Sequence, residues 1–328
     1  MAYSEEILAR AQAQLAQARQ EQRDSYEAHL QEAYARYPRL REIDRELRAT
    51  AAQAVAAAFR RSEDPTAAIA AIRDKNLALQ QEREWLLDSS DLDTDFLDDT
   101  PVCPKCGGTG YIGSQMCECL QALCRAEQKK ELSSLIGSGK ERFSAFRLDV
   151  YPDQPDPKWG ISPRRVMEDN LARCKAYAAS FSTESASMLF SGSPGLGKTF
   201  LSACIARTVA DRGFSVIYDT AIQIIEEFEA VKFGGRDDSS RRALHKYTAT
   251  DLLIIDDLGT EMNTQFTQSV VYTLLNSRLV AGKPTIVSSN LDTPAIRERY
   301  TPQTASRLLG AFELLRFLGN DIRLRGKV

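Results

Sequence analysis

No apolar run in this 328-residue chain approaches the length that crosses a bilayer, and the opening MAYSEEILARAQAQ lacks the apolar stretch that heads a secreted protein. Both absences point away from the membrane and make the cytoplasm the expected compartment. A basic excess is missing as well. With 42 Lys and Arg against 45 Asp and Glu, the net charge is -3, so any contact with nucleic acid has to be focal. The seven cysteines do not come out even, and four of them fall between Cys103 and Cys119. In a reducing compartment that pattern argues for metal ligation before disulfides. What remains is an ordinary globular composition, 43% apolar and 27% charged, in a chain long enough for about two domains with a sizeable core.

Glycine is absent from Ser4 to Leu87, where Ala, Gln, Glu and Arg dominate and favour helix. Leu8, Leu15, Leu30, Tyr34 and Tyr37 make a sparse apolar stripe that breaks at Pro38, and Ile43 and Leu47 continue a second one. Two or three long helices are expected. An arm this polar buries little by itself, so docking on a partner or self-association is expected over an isolated bundle. The acidic run DSSDLDTDFLDDT, from Asp88 to Thr100, reads as a solvated linker.

CPKCGGTGYIGSQMCECL follows. Cys103 and Cys106 sit in C-x-x-C spacing on a glycine-rich turn, and Cys117 and Cys119 return from a short hairpin. Four thiolates without histidine suit a closed, structural Zn²⁺ site. Free thiols or a redox pair are the other readings of these residues, and Cys124 stands near enough in sequence to substitute as a ligand. Cys174 and Cys204 lie among apolar helical neighbours and read as buried thiols.

The stretch SMLFSGSPGLGKT is a strand, a glycine loop and a helix start in the order a phosphate cradle needs. Its fixed positions, Gly192, Gly197, Lys198 and Thr199, satisfy G-x-x-x-x-G-K-[ST]. Gly192, Ser193, Pro194, Gly195, Leu196, Gly197, Lys198, Thr199 and Phe200 therefore form the expected nucleotide-binding segment. Main-chain N–H groups and the helix terminus face the phosphates, Lys198 reaches the β- and γ-phosphates, and Thr199 places its hydroxyl on Mg²⁺. From there the pattern alternates helix and strand, which implies a parallel sheet flanked by helices with ligands at the carboxyl ends of its strands.

Leu252 to Ile255 read as a buried strand that delivers Asp256 and Asp257 at its end. Asp256 suits Mg²⁺, and Asp257 suits orientation or deprotonation of the attacking water, with glutamate the commoner residue there. Strand Thr285–Ser289 ends on Asn290, whose amide can sense the γ-phosphate or simply start the following turn. Arg307, on a short helix in TASRLLG, suits insertion into a neighbouring subunit's nucleotide. Arg323 and Arg325 in GNDIRLRGKV can reach phosphates in the same subunit. Surface ion pairs are the plain alternative for each arginine.

In this order, GSPGLGKTFL, DLLIIDDLGTE, IVSSN, SRLLG and FLGNDIR resemble the AAA+ ATPases of the bacterial DnaC/DnaI helicase-loader type. The cysteine knuckle and the lead-in RFSAFRLDVYP resemble members of that group too. The resemblance implies an α/β P-loop AAA+ core over 137–328 without a helical lid, a four-cysteine zinc knuckle with a connecting helix over 101–136, and a helical partner-binding region over 1–100. It also implies an ATPase, slow and stimulated by DNA or a partner, that uses ATP and Mg²⁺ to load a DnaB-type replicative helicase on single-stranded DNA and assembles into a homo-oligomer on helicase or DNA. Asp256 and Asp257 take the Walker B roles, Asn290 sensor 1, Arg307 the finger and Arg323 sensor 2. Loader ATPases carry an extra channel-lining helix near KFGGRDDSSRRALHK. Lys232, Arg241, Arg242 and Lys246 are therefore expected at DNA phosphates and Phe233 on a base, with Thr264 and Phe266 adding contacts. Transposition helpers of the IstB type share the core but generally lack the knuckle. A non-hydrolysing nucleotide-binding adaptor is the reading from a different class.

Overall fold

The computed structural model describes residues 3–58, 65–93, 95–135, 141–233 and 244–324. The chain divides into two compact units, Gln12–Cys119 on the one hand and Met1–Ala11 with Leu120–Val328 on the other.

The first unit is helical. Helix α1 runs Glu5–Arg36, α2 Pro38–Ala58 and α3 Pro65–Asp88. Pro38 separates the first two, because it brings no N–H with which to continue α1 yet fits the first turn of a new helix. Helices α2 and α3 pack against each other. Leu40, Ile43 and Leu79 are buried in this unit, and Arg39 donates to both carboxylate oxygens of Glu82 at 2.7 and 2.9 Å. Arg83 pairs with Asp44 at 2.9 Å. The Arg39–Glu82 pair is largely exposed and stabilises little, whereas Arg83–Asp44 is partly buried beside the narrow apolar seam. The knuckle adds an antiparallel hairpin of β1, Tyr111–Ile112, and β2, Gln115–Met116.

In the second unit, helices α4 (Glu118–Leu135, from Leu120 onward) and α5 (Pro163–Ser180) lead into an alternating α/β core. It runs β3 (Met188–Ser191), α6 (Lys198–Asp211), β4 (Val216–Thr220), α7 (Ala221–Phe233), β5 (Leu252–Leu258), α8 (Gln265–Val280), β6 (Thr285–Ser289), α9 (Thr293–Arg299), α10 (Pro302–Gly310) and β7 (Glu313–Arg316). The helix starts are written in the sequence. Ser162, Thr264, Asp292 and Thr301 each accept an N–H of the first turn, with proline entering the first turn after Ser162, Asp292 and Thr301.

The strands form one five-stranded parallel sheet in the order β4-β5-β6-β3-β7. Successive side chains alternate between its faces. Met188, Phe190 and Ile254 meet α5 and α6 on one side, while Leu189, Leu253 and Val287 meet α7, α8 and α10 on the other. The doubly covered parallel core expected from the motifs is the one observed. Edge strand β7, four residues long and not anticipated from sequence, pairs with β3 and brings the segment after it toward the glycine loop. Phe143 and Phe146 pack on the core from a non-strand lead-in. Cys174 and Cys204 are buried, and burial pushes both thiols up to about 12. Cys124 is buried as well.

Candidate functional site: a phosphate cradle facing two carboxylates

Strand β3 delivers the chain to a loop that only glycine completes. Gly195 and Gly197 hold φ of 73° and 88°, in the left-handed region, and Gly197 is the residue from which α6 starts. The loop is held from outside by Tyr151, whose hydroxyl donates to Leu196 O at 2.9 Å, and by the Ile322 N–H, which donates to Gly195 O at 3.1 Å. Lys198 opens α6 almost fully buried. Its ammonium donates to Gly192 O at 2.6 Å, Ser193 O at 2.9 Å and Asn290 Oδ1 at 2.6 Å. Burial lowers its pKa to about 8, against the opposing pull of Asp257 and Asp256.

Strand β5 supplies the carboxylates. Asp256 is buried, Tyr218 of β4 donates to its Oδ2 at 2.8 Å, and the Ser288 hydroxyl of β6 donates to Oδ1. One residue later the ladder slips. Pairing passes from Ile255↔Val287 to Leu258↔Ser289, so β5 carries one residue more than β6 in that interval. Asp257 sits in this bulge with φ of 54°. Its N–H donates to Ser288 Oγ at 3.0 Å, and its Oδ1 receives the Asn290 amide at 3.4 Å. Burial first, then the Asp256 charge, raises the Asp257 pKa above the usual carboxylate range.

Pro194, Gly195, Gly197, Lys198, Thr199 and Phe200 line one cavity of about 380 Å³ together with Asp257, Asn290 and Arg323. Ser193 and Gly192 contribute carbonyls to Lys198 beside it, and Leu196, itself buried, also lines it. Strands β3 and β5 thus bring both halves of the expected site together. The donor set fits a Mg²⁺–nucleoside triphosphate: a buried ammonium, glycine-loop backbone, a threonine hydroxyl and hard carboxylate oxygens.

Arg307 lies elsewhere. On α10 it donates to Asn276 Oδ1 at 2.9 and 2.6 Å and to the Tyr272 hydroxyl at 3.1 Å, with its guanidinium 4.5 Å from the Tyr272 ring centroid. It touches no group of the cavity in its own subunit. Thr264 caps α8, Phe266 packs partly buried on the core, and Lys246 pairs with Glu227 at 2.9 Å. Arg241, Arg242 and Arg325, and the side chains of Lys232 and Phe233, lie outside the described residues.

In the other unit the sulfurs of Cys103, Cys106, Cys117 and Cys119 all lie within 4.8 Å of one another, with Cys103–Cys117 at 3.8 Å and Cys106–Cys119 at 3.5 Å. Zn–S bonds of about 2.3 Å place tetrahedral sulfurs about 3.8 Å apart, so the cluster fits zinc. Among the described residues it is the group with metal-ligand geometry, and Cys124 is not one of its members.

Tyr218, Ser288 and Tyr151 escaped sequence reasoning. Each acts across the sheet or from a remote lead-in, where linear spacing carries no signal.

A parallel sheet with a phosphate loop after β3, paired carboxylates on β5 and a polar strand end on the intervening β6 defines an AAA+-type P-loop ATP-binding core. Residues 164–306 match the family described as IstB-like ATP binding protein. In sequence the chain is similar to the replicative helicase loader DnaC of Buchnera aphidicola subsp. Acyrthosiphon pisum (strain APS), 25% identical over 190 residues, which covers 57% of this chain and 74% of that protein. It is also similar to the replicative helicase loader DnaC of Escherichia coli (strain K12), 28% identical over 124 residues, covering 37% of this chain and 50% of that one. Except against the first of these relatives, the chain spans about half the length of the curated loaders it matches. Among solved structures, a DnaC helicase loader aligns with a TM-score of 0.43 at 19% identity, over 54% of this chain and 98% of that one. No helix among the described residues is long and apolar enough to cross a membrane.

Proposed function

We propose that this chain is a cytoplasmic ATP-dependent loader that places a DnaB-type replicative helicase on single-stranded DNA. The sequence likeness to a replicative helicase loader over 190 residues is the observation that carries this reading. The N-terminal helical region, residues 1–100, engages the helicase. The core supplies a hydrolysis cycle that times release, and a homo-oligomer forms on helicase or DNA.

The chain's own groups support each step. Lys198, buried and held by three oxygens, neutralises the β- and γ-phosphates. Asp256 and Thr199 would hold Mg²⁺, which supplies charge neutralisation on the phosphate oxygens. Asp257 and Asn290, 3.4 Å apart, orient the attacking water, and the raised Asp257 pKa suits a group that accepts its proton. Arg323 completes the wall of the cavity as sensor 2. Arg307, clear of its own cavity, serves as the finger for the neighbouring subunit. Cys103, Cys106, Cys117 and Cys119 would hold a structural Zn²⁺. DNA contacts fall to Lys232, Phe233, Arg241, Arg242, Thr264 and Phe266.

The IstB-like family match gives the transposition-helper reading a specific footing. Affinity capture with the full chain and ATP, from cells of the source, separates the two. Recovery of a hexameric replicative helicase supports the loader, whereas recovery of a transposase without helicase replaces it. A third outcome, no phosphate release with helicase and DNA present and no change in loading with Lys198→Ala or Asp257→Asn, would leave an adaptor.

A further inference from the structure

The serine two residues before Asn290 does more than continue a strand. Ser288 is fully buried, and its hydroxyl is used twice: it donates to Asp256 Oδ1 and accepts the Asp257 N–H at 3.0 Å. Next along β6, the Ser289 hydroxyl donates to Leu258 O at 2.6 Å, and after it Asn290 reaches Asp257. Three consecutive polar side chains thus stitch the end of β6 to the bulge in β5. The bulge needs such stitching. The extra residue breaks the main-chain register between Ile255 and Leu258, and Asp257 is the residue, among the described non-glycine residues, with φ in the left-handed region. A backbone of that kind persists only where its surroundings over-determine it.

We propose that Ser288 is a positioning residue for ATP hydrolysis: its hydroxyl fixes the Asp256 carboxylate and the Asp257 main chain relative to one another across the bulge. The proposal rests on the hydrolytic reading of this site. Tyr218 constrains the other oxygen of Asp256 but has no bond to Asp257, so the two hydroxyls divide the work. Tyr218 acts on the carboxylate that would hold Mg²⁺. Ser288 acts on that carboxylate and also on the residue that orients water. Alanine at 288 frees both, whereas threonine keeps the hydroxyl on the same Cβ.

The test uses the full chain with ATP and Mg²⁺. The readouts are the Mg²⁺ concentration at half-maximal tightening of ATP binding, metal-free ATP affinity, single-turnover phosphate release with helicase and DNA present, and the thermal unfolding midpoint. Ser288→Ala is expected to raise the Mg²⁺ midpoint about tenfold and to slow turnover about tenfold even at saturating Mg²⁺, with metal-free ATP affinity unchanged. Ser288→Thr is expected to return both. Tyr218→Phe, which removes a bond to Asp256 and none to Asp257, should raise the Mg²⁺ midpoint but slow turnover at saturating Mg²⁺ less than Ser288→Ala does, which separates the two roles. A folded Ser288→Ala protein whose Mg²⁺ midpoint and turnover stay within about twofold of wild type overturns the proposal, since ordering of a metal-holding carboxylate is worth more than that. Should wild type bind Mg²⁺–ATP yet release no phosphate, the hydrolytic reading fails, and the Mg²⁺ midpoint still decides whether Ser288 orders Asp256.

Discussion

The ammonium of Lys198 and the amide oxygen of Asn290 lie 2.6 Å apart, joining the first turn of α6 to the end of β6. The same asparagine donates from Nδ2 to Asp257 at 3.4 Å, so one amide touches both the ammonium proposed to bind phosphate and the carboxylate proposed to orient water. Asn290→Ala should therefore slow single-turnover hydrolysis about tenfold to a hundredfold while ATP binding at pH 7 changes far less. Lys198→Ala should abolish binding itself. Parallel binding isotherms and phosphate-release assays read the split, and equal loss of binding in both variants would contradict it.

Burial makes the cradle sensitive to pH. Free Lys198 titrates near 8, below its ordinary value, whereas bound phosphates favour the charged form and raise it. Well below pH 8 the lysine is already charged and binding takes up almost no proton through it. Above pH 8 binding must draw a proton, so ATP affinity falls as pH rises. Titration calorimetry at pH 8.5 in buffers of different ionisation enthalpy should show uptake of a fraction of a proton, and at pH 6.5 none from this group. Lys198→Arg, which stays charged, should flatten the limb.

The cysteine cluster predicts about one Zn²⁺ per chain. Metal analysis after purification without chelators checks the stoichiometry. Cys106→Ser should lose the metal and lower the melting temperature of the unit Gln12–Cys119, while ATP binding persists. Well under one zinc per chain in protein with all thiols reduced would refute the assignment.

Arg307 is held by Asn276 and Tyr272 at a distance from its own cavity. Arg307→Ala and Lys198→Ala proteins, each inactive alone, should recover activity when mixed. In a one-to-one mixture about a quarter of sites pair an intact Lys198 with a neighbour's intact Arg307. Absence of any recovery in an assembled mixture would remove Arg307 from the neighbouring site.

Much of the core was readable because local chemistry and global fold agree there. Gly192 to Thr199 reads as a cradle and Leu252 to Asp257 as a buried strand ending in carboxylates, since each rests on residues adjacent in sequence. What could not be read depends on pairing across the sheet. The one-residue bulge at Asp257, the hydroxyls of Tyr218 and Ser288 on Asp256, and β7 beside β3 emerge only once strand order is fixed. Arg278 illustrates the same limit. It is fully buried, donates to Tyr247 O, Thr250 O, Pro284 O and Thr285 Oγ1, and burial lowers its pKa to about 10. In sequence it looks like any basic residue near a helix C-terminus.

Helicase deposition is the most direct test of the loader reading. Closed circular single-stranded DNA offers no end onto which a hexameric ring can thread, so the replicative helicase of the same genome, mixed with the full chain, ATP and such a circle, gives the assay. Helicase should be recovered on the circle with wild-type protein and ATP, remain associated with the loader when Asp257→Asn replaces it, and stay off the DNA with Lys198→Ala. Equal recovery of helicase on the circle without this protein, or with Lys198→Ala, would contradict the loader reading.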